Sequence, residues 1–224
     1  MKSFYRLLTV CSALLLIVPA ASANWSDNFD SYTPGTGLHG QGGWTGWENN
    51  PAWDAFVVDS MSLSPDNSLA TIPTSDIVQE FTETTGEWEM TAWCYIPSGS
   101  TGDQFFIMLN TYDPPSFNWS VQLEFHSDIG QVKDNYSGTT TAIVNDQWVE
   151  VKVEIYLDAN TYDIYYNGSF LASNAWQSSG VNEIAALDLF SSGGSTIFWD
   201  DCNLVDTGGA LEHTTWGHIK TVLQ

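Results

Sequence analysis

The sequence predicts an all-β protein, an antiparallel two-sheet jelly-roll β-sandwich with a short C-terminal helical tail. Apolar and polar residues alternate along several short stretches, and turn signals such as Pro-Ser-Gly, Asp-Pro-Pro and Asn-Gly separate them. After the N-terminal apolar run, no stretch before residue 210 repeats its apolar residues at helical spacing. Period-two alternation with one polar face is what an antiparallel sheet half-covered by a core requires. A barrel is the alternative closure for the same pattern.

The chain opens on an export signal. Lys2 and Arg6 give a positive start, residues 7–20 are an apolar run, and Ala21-Ser22-Ala23 supplies the small residues of a cleavage site. The run is short of the ~20 residues a membrane-spanning helix needs. Residues 1–23 are therefore expected to be removed, and the protein to act outside the cell or in the periplasm. Residues 24–56 are rich in glycine around Trp44 and Trp47 and are expected to wrap the sandwich as a long edge segment.

Strands follow at short intervals. Residues 87–96 alternate, then 104–112. In residues 119–126, Trp119, Val121, Leu123 and Phe125 are expected on one face, and Ser120, Gln122, Glu124 and His126 on the other. Residues 147–157 set Val149, Val151, Val153 and Ile155 against Glu150, Lys152 and Glu154. Residues 161–166 and 169–172 flank Asn167-Gly168, a hairpin signal, and residues 185–190 and 196–205 close the domain, placed at 24–206. In the last segment, 207–224, Thr207-Gly208-Gly209 reads as a linker. Beyond it Leu211, Trp216, Ile219, Val222 and Leu223 fit one stripe of a short helix.

Charge excludes several functions. The chain carries 5 Lys+Arg against 27 Asp+Glu, and two of the basic residues lie in the signal. Without a basic footprint there is no nucleic-acid site and no attraction to an anionic membrane surface. Losing Cys11 with the signal leaves Cys94 and Cys202, an even count that permits one disulfide in an oxidising compartment; two buried thiols are the alternative.

Certain segments are familiar. Trp148-Val149-Glu150-Val151-Lys152-Val153 followed by Tyr162-Asp163-Ile164-Tyr165-Tyr166-Asn167-Gly168 resembles the strand and hairpin of concanavalin A-like lectin/glucanase jelly rolls, laminin-G-like domains included. Phe198-Trp199-Asp200-Asp201-Cys202-Asn203-Leu204 resembles their last strand. Asn28-Phe29-Asp30-Ser31-Tyr32 with Gly40-Gln41-Gly42-Gly43-Trp44 resembles the start of an uncharacterised, secreted bacterial branch. The resemblance spans about residues 25–206 and implies the fold. It leaves the activity open, because lectins, carbohydrate-binding modules, hydrolases and lyases share that fold. It also implies a structural calcium between first and last strands, for which Asp30, Asp200 and Asp201, with Asp27 nearby, are the matching acids.

Catalytic signals are weak. The Glu-x-Asp-x-x-Glu arrangement of laminarinase-like relatives is missing, and Glu150 and Glu154 have Lys152 between them, as on a solvated face. A polysaccharide lyase needs a cation for the uronate, and Arg6, in the signal, is the chain's one arginine. No Gly-x-Ser-x-Gly elbow or zinc-ligand spacing is present. Sugars bind instead to aromatic faces flanked by polar side chains. Trp93 and Tyr95 point away from the core if Met90, Ala92 and Cys94 point in. If residues 119–126 lie beside them, Trp93, Tyr95, Gln122, Glu124 and His126 share one concave face, with Asn110 and Tyr112 as neighbours. Trp44, Trp47 and Trp53 form a second candidate. The expected protein is a secreted, non-catalytic, lectin-like glycan or polysaccharide binder, not integral to a membrane once the signal is gone. A polysaccharide-degrading enzyme and a cell-surface structural or adhesion protein are the alternatives.

Overall fold

The structure, a computed structural model, describes residues 25–208. The export signal, and the helix expected within 211–223, lie outside those residues. Two antiparallel sheets face each other, and no α-helix occurs among the described residues. In chain order the strands are β1 (Trp25–Asp27), β2 (Trp44–Gly46), β3 (Phe56–Val58), β4 (Ser68–Thr71), β5 (Asp76–Glu83), β6 (Glu87–Tyr95), β7 (Asp103–Asp113), β8 (Ser116–His126), β9 (Gln131–Asp134), β10 (Thr140–Ala142), β11 (Trp148–Tyr156), β12 (Thr161–Tyr166), β13 (Ser169–Ala175), β14 (Ile184–Ser191) and β15 (Ile197–Asp206).

Sheet 1 runs β13-β12-β11-β6-β15-β4-β3, and the short β1 shares the edge of β15 with β4. Trp25–Asp27 face Leu204–Cys202, while Leu69–Thr71 face Trp199–Ile197. Sheet 2 runs β10-β9-β8-β7-β14-β5-β2. The connection after β6 therefore leaves one sheet for the other, although β6 and β7 are consecutive in the chain.

Alternation explains the core. Along β11 the valines and Ile155 are buried and the charged residues between them are not; β6 buries Trp88, Met90, Ala92 and Cys94 in the same way. Sheet 2 answers with Phe106, Met108, Val121, Leu123, Phe125, Leu187 and Leu189. Trp199 ties the layers together: it is 1% exposed on sheet 1, and its ring lies 6.1 Å from Phe106 and 5.8 Å from Phe125 of sheet 2.

The expected Cys94–Cys202 disulfide is not formed. Both cysteines are free and buried. Cys94 faces Trp199 across the β6–β15 ladder, whereas Cys202 lies in the irregularity between Asp200 and Asn203. The two side chains are therefore not cross-strand partners. Burial pushes both thiols well up, which keeps them uncharged and poor nucleophiles.

Replacing Trp199 by Ala should open a cavity between the sheets and cost about 3–5 kcal/mol. Thermal unfolding should then fall by roughly 6–20 °C, since each kcal/mol moves Tm by about 2–4 °C in a domain of this size.

Candidate functional site

The centre of sheet 2 carries apolar residues on both faces. In β14 every residue except Phe190 is buried, and the centre of β7, Phe106 to Asn110, is buried without a break. The inner face belongs to the core. On the outer face Val78, Ile107, Leu109 and Ala186 form a second, smaller cluster, with Trp47, Phe105, Tyr112, Phe117 and Phe190 packed against it. A groove of about 350 Å³ remains there, lined by Trp47, Asp76, Phe105, Ile107, Trp119, Gln122, Asp188 and Phe190.

Local backbone geometry puts the tryptophans in place. Register shifts on either side of Leu109 interrupt the β7–β8 ladder, so that Val121 pairs with Met108 and Trp119 with Leu109. A one-residue shift moves a side chain to the opposite face. Trp119, expected inside with Val121, is instead 41% exposed on the outer face, on the side of Gln122. Trp47 starts a tight turn in which Glu48 and Asn49 are left-handed, with φ of 52° and 58°. The Glu48 N–H donates to the Tyr112 hydroxyl at 2.8 Å, pinning that turn to β7. Burial pushes the Tyr112 phenol up to about 12. Trp47 then packs 5.0 Å from Tyr112 and 4.6 Å from Phe117. Its plane is parallel to that of Trp119 within 4°, with ring centroids 6.5 Å apart.

Two carboxyl groups lie in the groove. Across the strands one row reads Val78–Asp188–Ile107–Gln122, and the next reads Asp76–Phe190–Phe105–Glu124. Asp188 is 2% exposed, and it is hydrogen-bonded to Asp76 on the adjacent strand. Neither Oδ1 receives a hydrogen bond from any other described residue. Burial raises Asp76 to about 6 and raises Asp188 well above the carboxylate range, where the neighbouring Asp76 charge holds it further up. The pair thus keeps a proton when isolated carboxyls would have lost theirs.

The expected binding residues divide between the two outer faces. Trp93 and Tyr95 are on the outside of sheet 1, where Tyr95 packs with Trp148 and Phe198. Gln122, Glu124 and His126 are on the outside of sheet 2. The shared concave face is therefore corrected: β6 and β8 belong to different sheets. Gln122 lines the groove, and Tyr112 supports it through Glu48. Asn110 is buried and accepts a hydrogen bond from its neighbour Thr111. Of the second candidate set, Trp44 is a core residue, fully buried, whose indole N–H donates to Asp27; Trp53 is 41% exposed; Trp47 lines the groove.

Glu124 and His126 join Asp103 in a group that could hold a metal ion, their ligand atoms all lying within 4.8 Å of one another. His126 Nε2 is 3.6 Å from Asp103 and its Nδ1 3.7 Å from Glu124, while Lys133 approaches Glu124 at 3.8 Å.

Each of the four acids expected to hold calcium is engaged in hydrogen bonds within the protein. Asp27 accepts from the Phe29 N–H, the Tyr32 hydroxyl and Trp44. Asp30 accepts from Asn28 and the Asn67 N–H. Asp200 accepts from the N–H groups of Leu63, Ser64 and Asp201, and Asp201 from the Ser64 hydroxyl. Calcium takes six to eight oxygens turned toward one point. Asp200 and Asp201 both hold the Leu63–Ser64 segment, and Asp27 and Asp201 line one cavity, while the group close enough to share an ion among the described residues is Asp103, Glu124 and His126. Burial raises Asp200 to about 6, although three N–H groups pull the other way.

No protein-family model and no curated protein sequence matches the chain. Solved structures do match in shape. A sialidase superposes with a TM-score of 0.58 at 12% identity, over 83% of this chain and 18% of its own. The endo-β-1,4-glucuronan lyase of the fungus Trichoderma reesei gives 0.50 at 8% identity, over 82% and 95%. Trypanosoma rangeli sialidase with 2,3-difluorosialic acid gives 0.51 at 12%, over 74% and 31%. The likeness is one of fold, a two-sheet antiparallel β-sandwich. The chain spans less than a third of either sialidase.

The acid pair has a consequence for stability. Carboxyls whose folded pKa is raised stabilise the fold at low pH, and that contribution is lost as pH rises through the folded value, here from about 4 upward and through about 6 for Asp76. Asp188→Asn, which removes the ionisation and keeps the shape, should raise Tm by roughly 2–6 °C at pH 7.5. Below pH 4 the gain should shrink toward zero. Calorimetry across that range checks both.

Proposed function

We propose that this is a secreted, non-catalytic carbohydrate-binding protein that holds a glycan or polysaccharide chain in the outer groove of sheet 2. The observation that carries the reading is the parallel pair Trp47 and Trp119 standing over an apolar floor, with Gln122 and the two aspartates beside it. The C–H face of a pyranose stacks on an indole face, and polar groups at the rim fix its orientation. No helix of the described residues is long and apolar enough to cross a membrane. A second cavity of about 640 Å³, near Asp27, Tyr32 and Asp201, offers mainly polar groups already engaged within the protein.

Geometry disfavours hydrolysis by the acids in this groove. Glycosidases hold two carboxyls about 5 Å apart for retention, or about 6.5–9.5 Å for inversion, so that the glycosidic bond fits between them. Asp76 and Asp188 interact with each other on adjacent strands instead of facing across an open gap.

Trp119→Ala should weaken binding of oligosaccharides at least tenfold, about 1.4 kcal/mol, in titration calorimetry or a glycan array. Phe170→Ala, an exposed aromatic on sheet 1, should leave it unchanged. Absence of binding to every glycan by the folded protein would overturn the reading. So would release of reducing ends or of unsaturated, ultraviolet-absorbing products from a polysaccharide panel.

A further inference from the structure

An acid in an aromatic groove is costly unless something bonds to it. Taking a carboxylate out of water is expensive, and the usual remedy is a cation or several N–H donors. The other buried acids of this protein follow the rule: Asp200 has three N–H donors, and Asp134 has the Ser137 N–H and the Asn174 amide. Asp76 and Asp188 do not. Their hydrogen bond to each other is the one they make, no residue lining the groove is a lysine or arginine, and both carboxyls line its wall. Among the described residues the two carboxyls lack hydrogen-bond donors beyond each other, and a ligand rich in hydroxyls supplies them.

We propose that Asp76 and Asp188 work as one unit, a hydrogen-bonded carboxyl pair that accepts neighbouring hydroxyls of an uncharged sugar ring and turns acidic sugars away. The inference rests on the groove being a glycan site and names its ligand class: neutral oligosaccharides, excluding uronates and sialic acids. Hydrogen bonds to an ionised acceptor are the strong kind, about twice a neutral one, so a pair carrying one negative charge holds two hydroxyls well.

Exclusion follows from the surroundings. Glu80 of β5 shares the field of the pair, acting with both aspartates on the Tyr112 phenol. Glu48 lies on the turn beside Trp47, and Glu124, His126 and Asp103 cluster further along the same face. Lys133, the cation nearest that end, is already beside Glu124. A sugar carboxylate brought here meets like charge without a guanidinium or ammonium to receive it. The fold neighbours named for sialic acid and glucuronan chemistry act on acidic sugars; this groove carries the opposite preference.

The test compares ligands matched except for charge. The probes are cello-oligosaccharides against β-1,4-oligoglucuronates of equal length, manno-oligosaccharides against oligomannuronates, and lactose against sialyllactose, each titrated with and without EDTA. The wild-type protein should bind at least one neutral member and hold its acidic partner at least tenfold more weakly, with no effect of EDTA. Asp188→Ala, its fold checked by circular dichroism and Tm, should lose at least tenfold in affinity for that neutral ligand. The double variant Asp76→Asn/Asp188→Asn keeps one acceptor oxygen on each residue and removes the charge; it should weaken neutral binding less than Asp188→Ala does and lose at least half of the discrimination on a logarithmic scale. Three outcomes would overturn the inference while leaving the glycan site standing: Trp119-dependent binding that Asp188→Ala does not change, equal or tighter binding of the acidic partner, or binding abolished by EDTA, which would make the pair a cation site. Binding of none of the probes would remove both readings.

Discussion

Sheet 2 has too much apolar surface for one core, and the site follows from that constraint. A sandwich needs one apolar face per sheet. The central strands β14 and β7 are apolar on both. Their inner face meets sheet 1. The outer face must be covered or left as a patch, and soluble proteins rarely leave such a patch without a use. Here Trp47, Tyr112 and Phe117 cover one end. The remainder is the groove. It is the uncovered part of a second core, which is why its floor is rigid β-structure and its walls are aromatic.

The acid pair has to be understood against that apolar floor. Placing Asp188 in the middle of Ala-Ala-Leu-Asp-Leu-Phe costs stability at neutral pH, and a leucine there would continue the strand without cost. Sequences depart from local consistency chiefly where function requires it. The departure here is confined: two residues on adjacent strands relieve each other by sharing a hydrogen bond, and every residue around them obeys the pattern.

Much of this was legible from alternation alone. The expected strands at 87–96, 104–112, 119–126, 147–157 and 161–166 correspond to β6, β7, β8, β11 and β12 within a few residues. What alternation cannot supply is pairing across the chain. β6 and β7 are consecutive and lie in different sheets, so the single face expected for Trp93 and Gln122 does not form. Nor does it register a bulge, and the shift beside Leu109 reversed Trp119. β5, and Asp76 with it, carries no alternation signal at its start, because Ile77, Val78 and Gln79 are all buried and alternation begins only afterwards. Asp188 did leave a signal. A single acid inside a continuous apolar run is a buried polar group, and that is informative wherever it occurs.

Comparison of the two outer faces explains why the proposed site is placed on sheet 2. Sheet 1 also presents aromatics and charges outward, and its residues are satisfied from within. Lys152 lies 2.5 Å from Glu154 and 3.6 Å from Glu89 and sits 4.3 Å over the Tyr165 ring; the hydroxyls of Tyr156 and Tyr165 both donate to Glu154. A ligand arriving there would have to break one interaction for each it made, and the exchange would gain little. On sheet 2 Trp119 is 41% exposed, and the Oδ1 atoms of Asp76 and Asp188 have no hydrogen-bond partner among the described residues to give up. Binding sites are distinguished less by which residues they contain than by what those residues still lack, and that measure is the physical ground for proposing the groove rather than the outer face of sheet 1.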